Sequence, residues 1–140
     1  MLDSVDITTR HSQNIKEFLE DQDFFVEQVT EKVIRVQRDG ELPTFVHRDG
    51  NSLYFEVDLL GVNDIETDQQ LCFQLLDLNT EILPVSVGID SSEADNPRIV
   101  LVESREVSNL DHNELLSVFN SLEIAVDRVE EVVQQHMAQQ

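Results

Sequence analysis

The residues that most often carry chemistry are scattered along this sequence of 140 residues. No two of its four histidines lie three or four positions apart, as metal ligands on one helix or turn often do; they are His11, His47, His112 and His136. The single cysteine, Cys72, stands among apolar residues at helical spacing, which favours a small core side chain over a nucleophile. We therefore predict no metal site and no cysteine-based active site.

Acidic residues are abundant but do not form a recognisable catalytic pattern. Glu130 and Glu131 fit a solvated helix face, and Asp90, Glu93 and Asp95 fit a solvated loop without the spacing of a calcium-binding loop. The glycine-rich phosphate loops, the zinc-protease helix and the serine nucleophile elbow are all missing from the sequence. The sequence thus predicts a protein that is not an enzyme, with no catalytic residues and no cofactor.

The charge of the chain excludes several classes of partner. Lys and Arg number 9 against 29 Asp and Glu, so the formal net charge is −20, which disfavours nucleic acid and anionic membrane surfaces. A lone cysteine permits no internal disulfide and fits a reducing compartment. With neither a signal-peptide pattern nor an apolar run long enough to insert into a membrane, we expect a cytoplasmic protein whose partner is another protein.

The first half of the chain predicts one helix followed by an antiparallel meander. Residues 12–21 have an apolar stripe at helical spacing, and residues 24–37 are rich in the side chains typical of one or two strands. Further strands are predicted at 44–47 and 53–59. Asp49 and Gly50 between them are a strong hairpin signal.

The second half predicts two helices separated by two strands. A broad apolar helical pattern covers residues 64–83 and ends before Pro84. Strands follow at 85–89 and 99–103. The order α-β-β-β-α-β-β-α predicts an α+β fold, with helices packed on an antiparallel sheet of about five strands. Residues 1–140 form one predicted domain, with frayed ends at 1–8 and 136–140.

The last helix is predicted to begin at Asp111, which with Glu114 resembles a capping box. Its apolar stripe is wider than one contact line needs. The stripe either covers the sheet of its own domain or forms a homodimer or partner surface. The candidate surface residues are Leu122, Val126, Val129 and Val133.

Three short stretches resemble a known family. They are residues 41–46, with Pro43 before a strand, the following strand at 53–59, and residues 83–89, where a helix ends in Leu-Pro. All three are similar to the YjfI-like family of uncharacterised bacterial proteins. The element order resembles type III secretion chaperones and the related YbjN-like domains. This resemblance implies a chaperone-like fold and an accessory role in envelope stress, and it assigns no activity to any residue here.

The sequence therefore predicts an acidic, non-enzymatic module or adaptor that binds another protein and pairs with itself. The alternative is a secretion-type chaperone that holds a segment of a client protein. An enzyme with a site of dispersed acids and histidines is the third and weakest hypothesis.

Overall fold

The predicted α+β class and element order are both present in a computed structural model, which describes residues 6–7 and 13–139. Residues 24–37 form two strands, so the main sheet has six strands where about five were predicted. The elements are β1 (Asp6–Ile7), β2 (Gln13–Asn14), α1 (Ile15–Asp21), β3 (Phe25–Thr30), β4 (Val33–Gln37), β5 (Thr44–Asp49), β6 (Ser52–Gly61), α2 (Gln69–Leu78), β7 (Ser86–Asp90), β8 (Arg98–Glu106) and α3 (His112–Ala138).

The main sheet has the strand order β3-β4-β5-β6-β8-β7, and β1 pairs with β2 separately. The register pairs Val46 with Ile34 on one side and with Phe55 on the other, which confirms the predicted antiparallel meander. Gly50 has φ 60° in the β5–β6 hairpin, a conformation that glycine adopts without steric cost. Strands β3 and β7 each have a neighbour on one side only among the described residues.

The chain divides into two compact units. Unit 1 comprises the described residues up to Val57 together with Glu103–Phe119, and unit 2 comprises Asp58–Val102 with the described residues from Asn120 onward. The prediction of a single domain stays a prediction.

Unit 1 is built around aromatic and aliphatic side chains of α1 and the meander. The ring of Phe119 lies 4.9 Å from that of Phe24 and 5.8 Å from that of Phe55, between ring centroids. Such contacts add to the free energy gained by burying apolar area. Helix α1 begins where the side chain of Asn14 accepts a hydrogen bond from the backbone N–H of Glu17 at 2.8 Å.

In unit 2, helix α2 is shorter than the predicted 64–83. A 3-10 turn occupies Val62–Asp64, where the Asp64 carboxylate accepts a hydrogen bond from the Gly61 N–H at 2.9 Å. Helix α2 then begins after Asp68, whose side chain accepts from the N–H of Leu71 at 2.9 Å. These local side-chain hydrogen bonds thus make the helix begin later than the hydrophobic periodicity of residues 64–83 predicts.

Helix α3 begins as predicted, because the Asp111 side chain accepts a hydrogen bond from the Glu114 N–H at 2.7 Å. It continues to Ala138, beyond residue 136 where fraying was predicted. His136 is buried there, and its Nε2 lies 3.0 Å from the carbonyl oxygen of Glu66 and 3.7 Å from a carboxylate oxygen of Asp68. The candidate surface stripe is also buried: its exposed fractions are Leu122 1%, Val126 6%, Val129 1% and Val133 9%.

The carboxyl group of Glu103 is buried in unit 1. The Glu103 side chain is 1% exposed, and its Oε1 lies 2.6 Å from Nη2 of Arg105 on the same strand. Burial raises the pKa of the Glu103 carboxyl, and the charge and hydrogen bond of Arg105 offset this only in part. Burying the ionised form therefore lowers the free energy of unfolding.

We expect Glu103→Gln to raise the melting temperature by a few degrees at pH 7. Because folding raises the pKa of this carboxyl, the folded chain is favoured below the unfolded pKa and loses that advantage as pH rises through the folded pKa. The gain should shrink between pH 7 and pH 4, because the raised pKa makes the wild-type carboxyl take up its proton above its usual range. Thermal melts at both pH values test this, with exposed Glu106→Gln as the matched control. A lower melting temperature at pH 7 contradicts it.

Val126→Glu should destabilise the chain by about 3 kcal/mol or more, because it buries an unpaired charge in the α3 stripe. The control is Ile124→Glu on the same helix, where the side chain is 64% exposed and the change should stay within about 0.5 kcal/mol. Urea unfolding measures both variants. If Val126→Glu is as stable as the wild type, the stripe is accessible and its role as an association surface gains support.

Candidate partner-binding groove

An apolar groove runs between helix α2 and the edge strand β7 in unit 2. Its volume is about 300 Å³. The side chains that line it are almost all apolar, and they include Cys72, Leu75, Leu76, Val87, Ile89 and Ile99. Grooves of this composition are typical of sites that take up apolar groups of a ligand or a partner.

Large apolar side chains stand exposed at this groove and on the neighbouring face of α2. Phe73 is 71% exposed, Leu76 68% and Ile89 56%; together these three residues are called the groove cluster here. Single exposed apolar residues are common, but several together on one helix and the adjacent strand mark an interaction site. The groove cluster is therefore the candidate partner surface of unit 2.

The position of the groove follows from how α2 is held. The helix turns Leu71, Leu75 and Leu78 into the core, which leaves Phe73 and Leu76 at angles that face away from it. At the start of the helix, Thr67 Oγ1 donates a hydrogen bond to the carbonyl of Val62 at 2.8 Å. Such contacts fix the exposed face of α2 rather than leaving it to local flexibility.

The end of α2 is tied down as well. Asn79 Oδ1 accepts a hydrogen bond from the backbone N–H of Val87 at 2.7 Å, which joins the helix end to β7. In the loop that follows, Glu81 Oε1 lies 3.3 Å from Nη2 of Arg128 on α3. The two walls of the groove, α2 and β7, are thus connected by a short hydrogen bond.

Cys72 was interpreted as a core residue, and the structure places it half-buried in the wall of the groove instead. The sequence signal for this difference is the breadth of the apolar pattern on α2. When apolar residues occupy two faces of one short helix, the core can cover only one face, and the other stays accessible. Phe73 and Leu76 belong to the second face, and the sequence analysis did not single them out as site residues.

The edge strand β3 offers a second set of exposed apolar side chains, in unit 1. Phe25 is 79% exposed and Val29 50%, and the acidic Glu27 lies between them on the strand; Phe25 and Val29 are called the β3 edge cluster here. An edge strand with exposed apolar side chains is suited to pairing with an extended segment of another chain.

The predicted surface stripe of α3 lies elsewhere. Val129 and Val133 line a shallow cavity with Leu59 and Leu60, and all four stripe residues are buried as described above. Burial in one chain does not measure association, so the stripe's role as a dimer or partner surface stays a prediction. The apolar side chains of the groove cluster and the β3 edge cluster, in contrast, are exposed and accessible to a partner.

The acidic loop between β7 and β8 has its own charge balance. Arg98 Nε lies 2.9 Å from Asp58 Oδ1, and the backbone N–H of Ser92 donates to Asp90 Oδ1 at 2.9 Å. The backbone and side-chain hydrogen bonds from Ser92 lower the pKa of the Asp90 carboxyl.

No group of three or more His, Cys, Asp or Glu residues suited to hold a metal ion occurs among the described residues, and His11 lies outside them.

The sequence matches the model of a known protein family. The family model named CesT_Tir_1, a type III secretion chaperone-like family, matches residues 8–139. No curated protein matches the sequence. Among the described residues, no helix has the length and apolar character needed to cross a membrane.

The solved structures that are similar to this chain include the following two. One chain of the heterodimeric ExoU-SpcU complex from the type III secretion system of Pseudomonas aeruginosa superposes with a TM-score of 0.67 at 20% identity, covering 84% of this chain and 96% of that one. The YbjN protein from E. coli matches with a TM-score of 0.49 at 16% identity, covering 86% and 84%.

The first likeness shows a shared fold, and the resemblance to the YjfI-like family is not confirmed. The envelope-stress role rests on that resemblance and stays a prediction. The family match extends over nearly the whole chain, from before α1 to the end of α3. The chain belongs to the CesT_Tir_1 family, with a type III secretion chaperone-like fold.

Proposed function

We propose that this chain is a non-enzymatic, chaperone-like protein that pairs with a second copy of itself and holds an extended segment of a client protein. The observation that carries the proposal is the groove cluster: the exposed Leu76 and Ile89 line an apolar groove, and Phe73 is exposed on the same helix as Leu76. Membership of a chaperone-like family supports it. The match to one chain of a heterodimeric complex supports the fold on which it relies.

The groove cluster fits a second copy of the chain because it offers both projections and a recess. Phe73 and Leu76 project from α2, and the groove beside them is lined by small and branched apolar side chains. In a two-fold pair the same patch meets itself, so each copy can place its projections in the recess of the other. Exclusion of water from these side chains supplies the free energy of association.

The charge of the chain gives this pairing a signature. Each copy carries a net charge of −20, so two copies repel each other. Salt screens that repulsion and leaves the apolar contact intact. Pairing through the groove cluster should therefore become tighter as the salt concentration rises.

The β3 edge cluster fits a client segment of different chemistry. An extended segment added along β3 would place alternate side chains beside Phe25 and Val29 and meet the carboxylate of Glu27 between them. Asp23 and Asp39 line the same surface together with one cation, Arg38, so the acids are in excess there. A segment that alternates apolar and basic side chains is complementary to this edge.

The double variant Phe73→Ser, Leu76→Ser should weaken self-association at least tenfold without unfolding the chain, because both side chains are exposed. Light scattering across a concentration series at low and high salt measures it. The matched control is Ile124→Ser on α3, also exposed but remote from the groove residues in sequence. A wild type that stays monomeric at high micromolar concentration in high salt contradicts the proposed pairing.

Client binding is tested with two designed peptides of the same alternating apolar pattern, one with Lys and one with Glu at the polar positions. The Lys peptide should bind at least tenfold tighter at low salt and lose affinity as salt is added, because its contacts are charged. Fluorescence anisotropy gives the affinities.

Phe25→Ser with Val29→Ser should weaken binding of the Lys peptide, whereas Leu42→Ser, a partly exposed residue of the same unit, should not. Equal affinity for the two peptides, or an unchanged affinity in the Phe25, Val29 variant, contradicts the proposed client site.

A further inference from the structure

The edge strand β7 has an open side, because β8 is its only neighbour among the described residues. In an antiparallel pair, successive residues point their backbone N–H and C=O groups alternately toward the neighbouring strand and away from it. Every second residue of β7 therefore presents its polar groups to the open side. Such a row of donors and acceptors is a template for the addition of another strand.

The first donors on this open side already have partners within the chain. The N–H of Val87 donates to Oδ1 of Asn79 at 2.7 Å, so Val87 points away from β8 although the register places it opposite Leu101. Val85 lies one residue before the start of β7. Its N–H donates to the carbonyl oxygen of Ile82 at 2.9 Å. A strand added here would have to displace both bonds.

Asn79 is placed to do this by its position at the end of α2. Its own backbone N–H bonds to the carbonyls of Asp77 and Leu76, which completes the last turn of the helix. Its side chain then spans to β7. One residue thus ends the helix that carries Phe73 and Leu76 and occupies the backbone donor of the strand that carries Ile89.

We infer that Asn79 closes the open edge of β7 to strand addition, so that a partner at the groove cluster docks through side chains and not through backbone pairing at residues 85–87. The description of that partner as a second copy rests on the proposed function. The closure of the edge does not, since it follows from the hydrogen bonds of Asn79 and Val85. An open edge beside exposed apolar side chains would otherwise favour assembly without a fixed end point.

The test compares Asn79→Ala with Asn79→Asp. Alanine removes the acceptor, whereas a carboxylate oxygen can still accept from the Val87 N–H. Amide hydrogen exchange of Val87, followed by NMR in the full chain, should become about tenfold faster in Asn79→Ala and stay near the wild-type rate in Asn79→Asp. Circular dichroism confirms that the variants are folded. If Asn79→Ala does not fold, Asn79→Ser replaces it, because its side chain is too short to reach β7.

Light scattering then reads the consequence for assembly. Asn79→Ala should form species larger than those of the wild type and of Asn79→Asp. The share of these species should grow as the protein concentration rises. The same change in the Phe73→Ser, Leu76→Ser background should still form them, because strand addition does not need the groove cluster. This arm separates the inference from the proposed function: a monomeric Phe73, Leu76 variant tests pairing, and its Asn79→Ala derivative tests edge closure.

Two results overturn the inference. One is a Val87 exchange rate that Asn79→Ala leaves unchanged, since the side chain would then not protect the strand. The other is faster exchange of Val87 without any larger species in either background, since the open donor would then not promote strand addition.

Discussion

The apolar stripe of α3 is the constraint on which both compact units depend. The helix contributes Leu115, Val118 and Phe119 to unit 1, and its later turns contribute Leu122 and Val129 to unit 2. All of these side chains are nearly inaccessible to solvent. Removing a buried aliphatic side chain of this size costs about 2–5 kcal/mol, a large share of the stability of a small domain. The helix therefore forms a large part of the apolar core of each unit.

Exposed apolar surface is found on α2, a short helix that carries apolar residues on two faces. Helix α2 has ten residues and buries one face through Leu71, Leu75 and Leu78. Its other face presents Phe73 and Leu76 to solvent. A cap at Asp68 and the Asn79 bond to β7 hold the helix at both ends. The position of the proposed partner surface therefore follows from core packing, which suits an interface that forms without reordering the backbone.

Sequence patterns predicted the features that neighbouring residues determine. They missed the features that depend on how distant elements pack against each other. The Asp49–Gly50 hairpin and the Asp111 cap were predicted because each is set by neighbouring residues. Periodicity also predicted an apolar stripe on α3, but a stripe that covers its own core and one that binds a partner have the same spacing. Cys72 shows the same limit, because only the packing of α2 against β7 places it in a groove.

Charge links the two surfaces of the proposed function. Repulsion between copies opposes pairing, because each copy carries −20. A basic client segment on β3 reduces the net charge of the copy that holds it, so its binding lowers the repulsion that a second copy meets. By linkage, pairing must then raise the affinity for the client by the same factor. The residues 32–60 that form β4, β5 and most of β6 carry five acids and four bases, so this part of the chain adds little to the repulsion. A basic client would instead neutralise the acidic charge of the remaining segments. In the proposed function this neutralisation couples client binding at the β3 edge cluster to pairing at the groove cluster, although the two clusters share no residue.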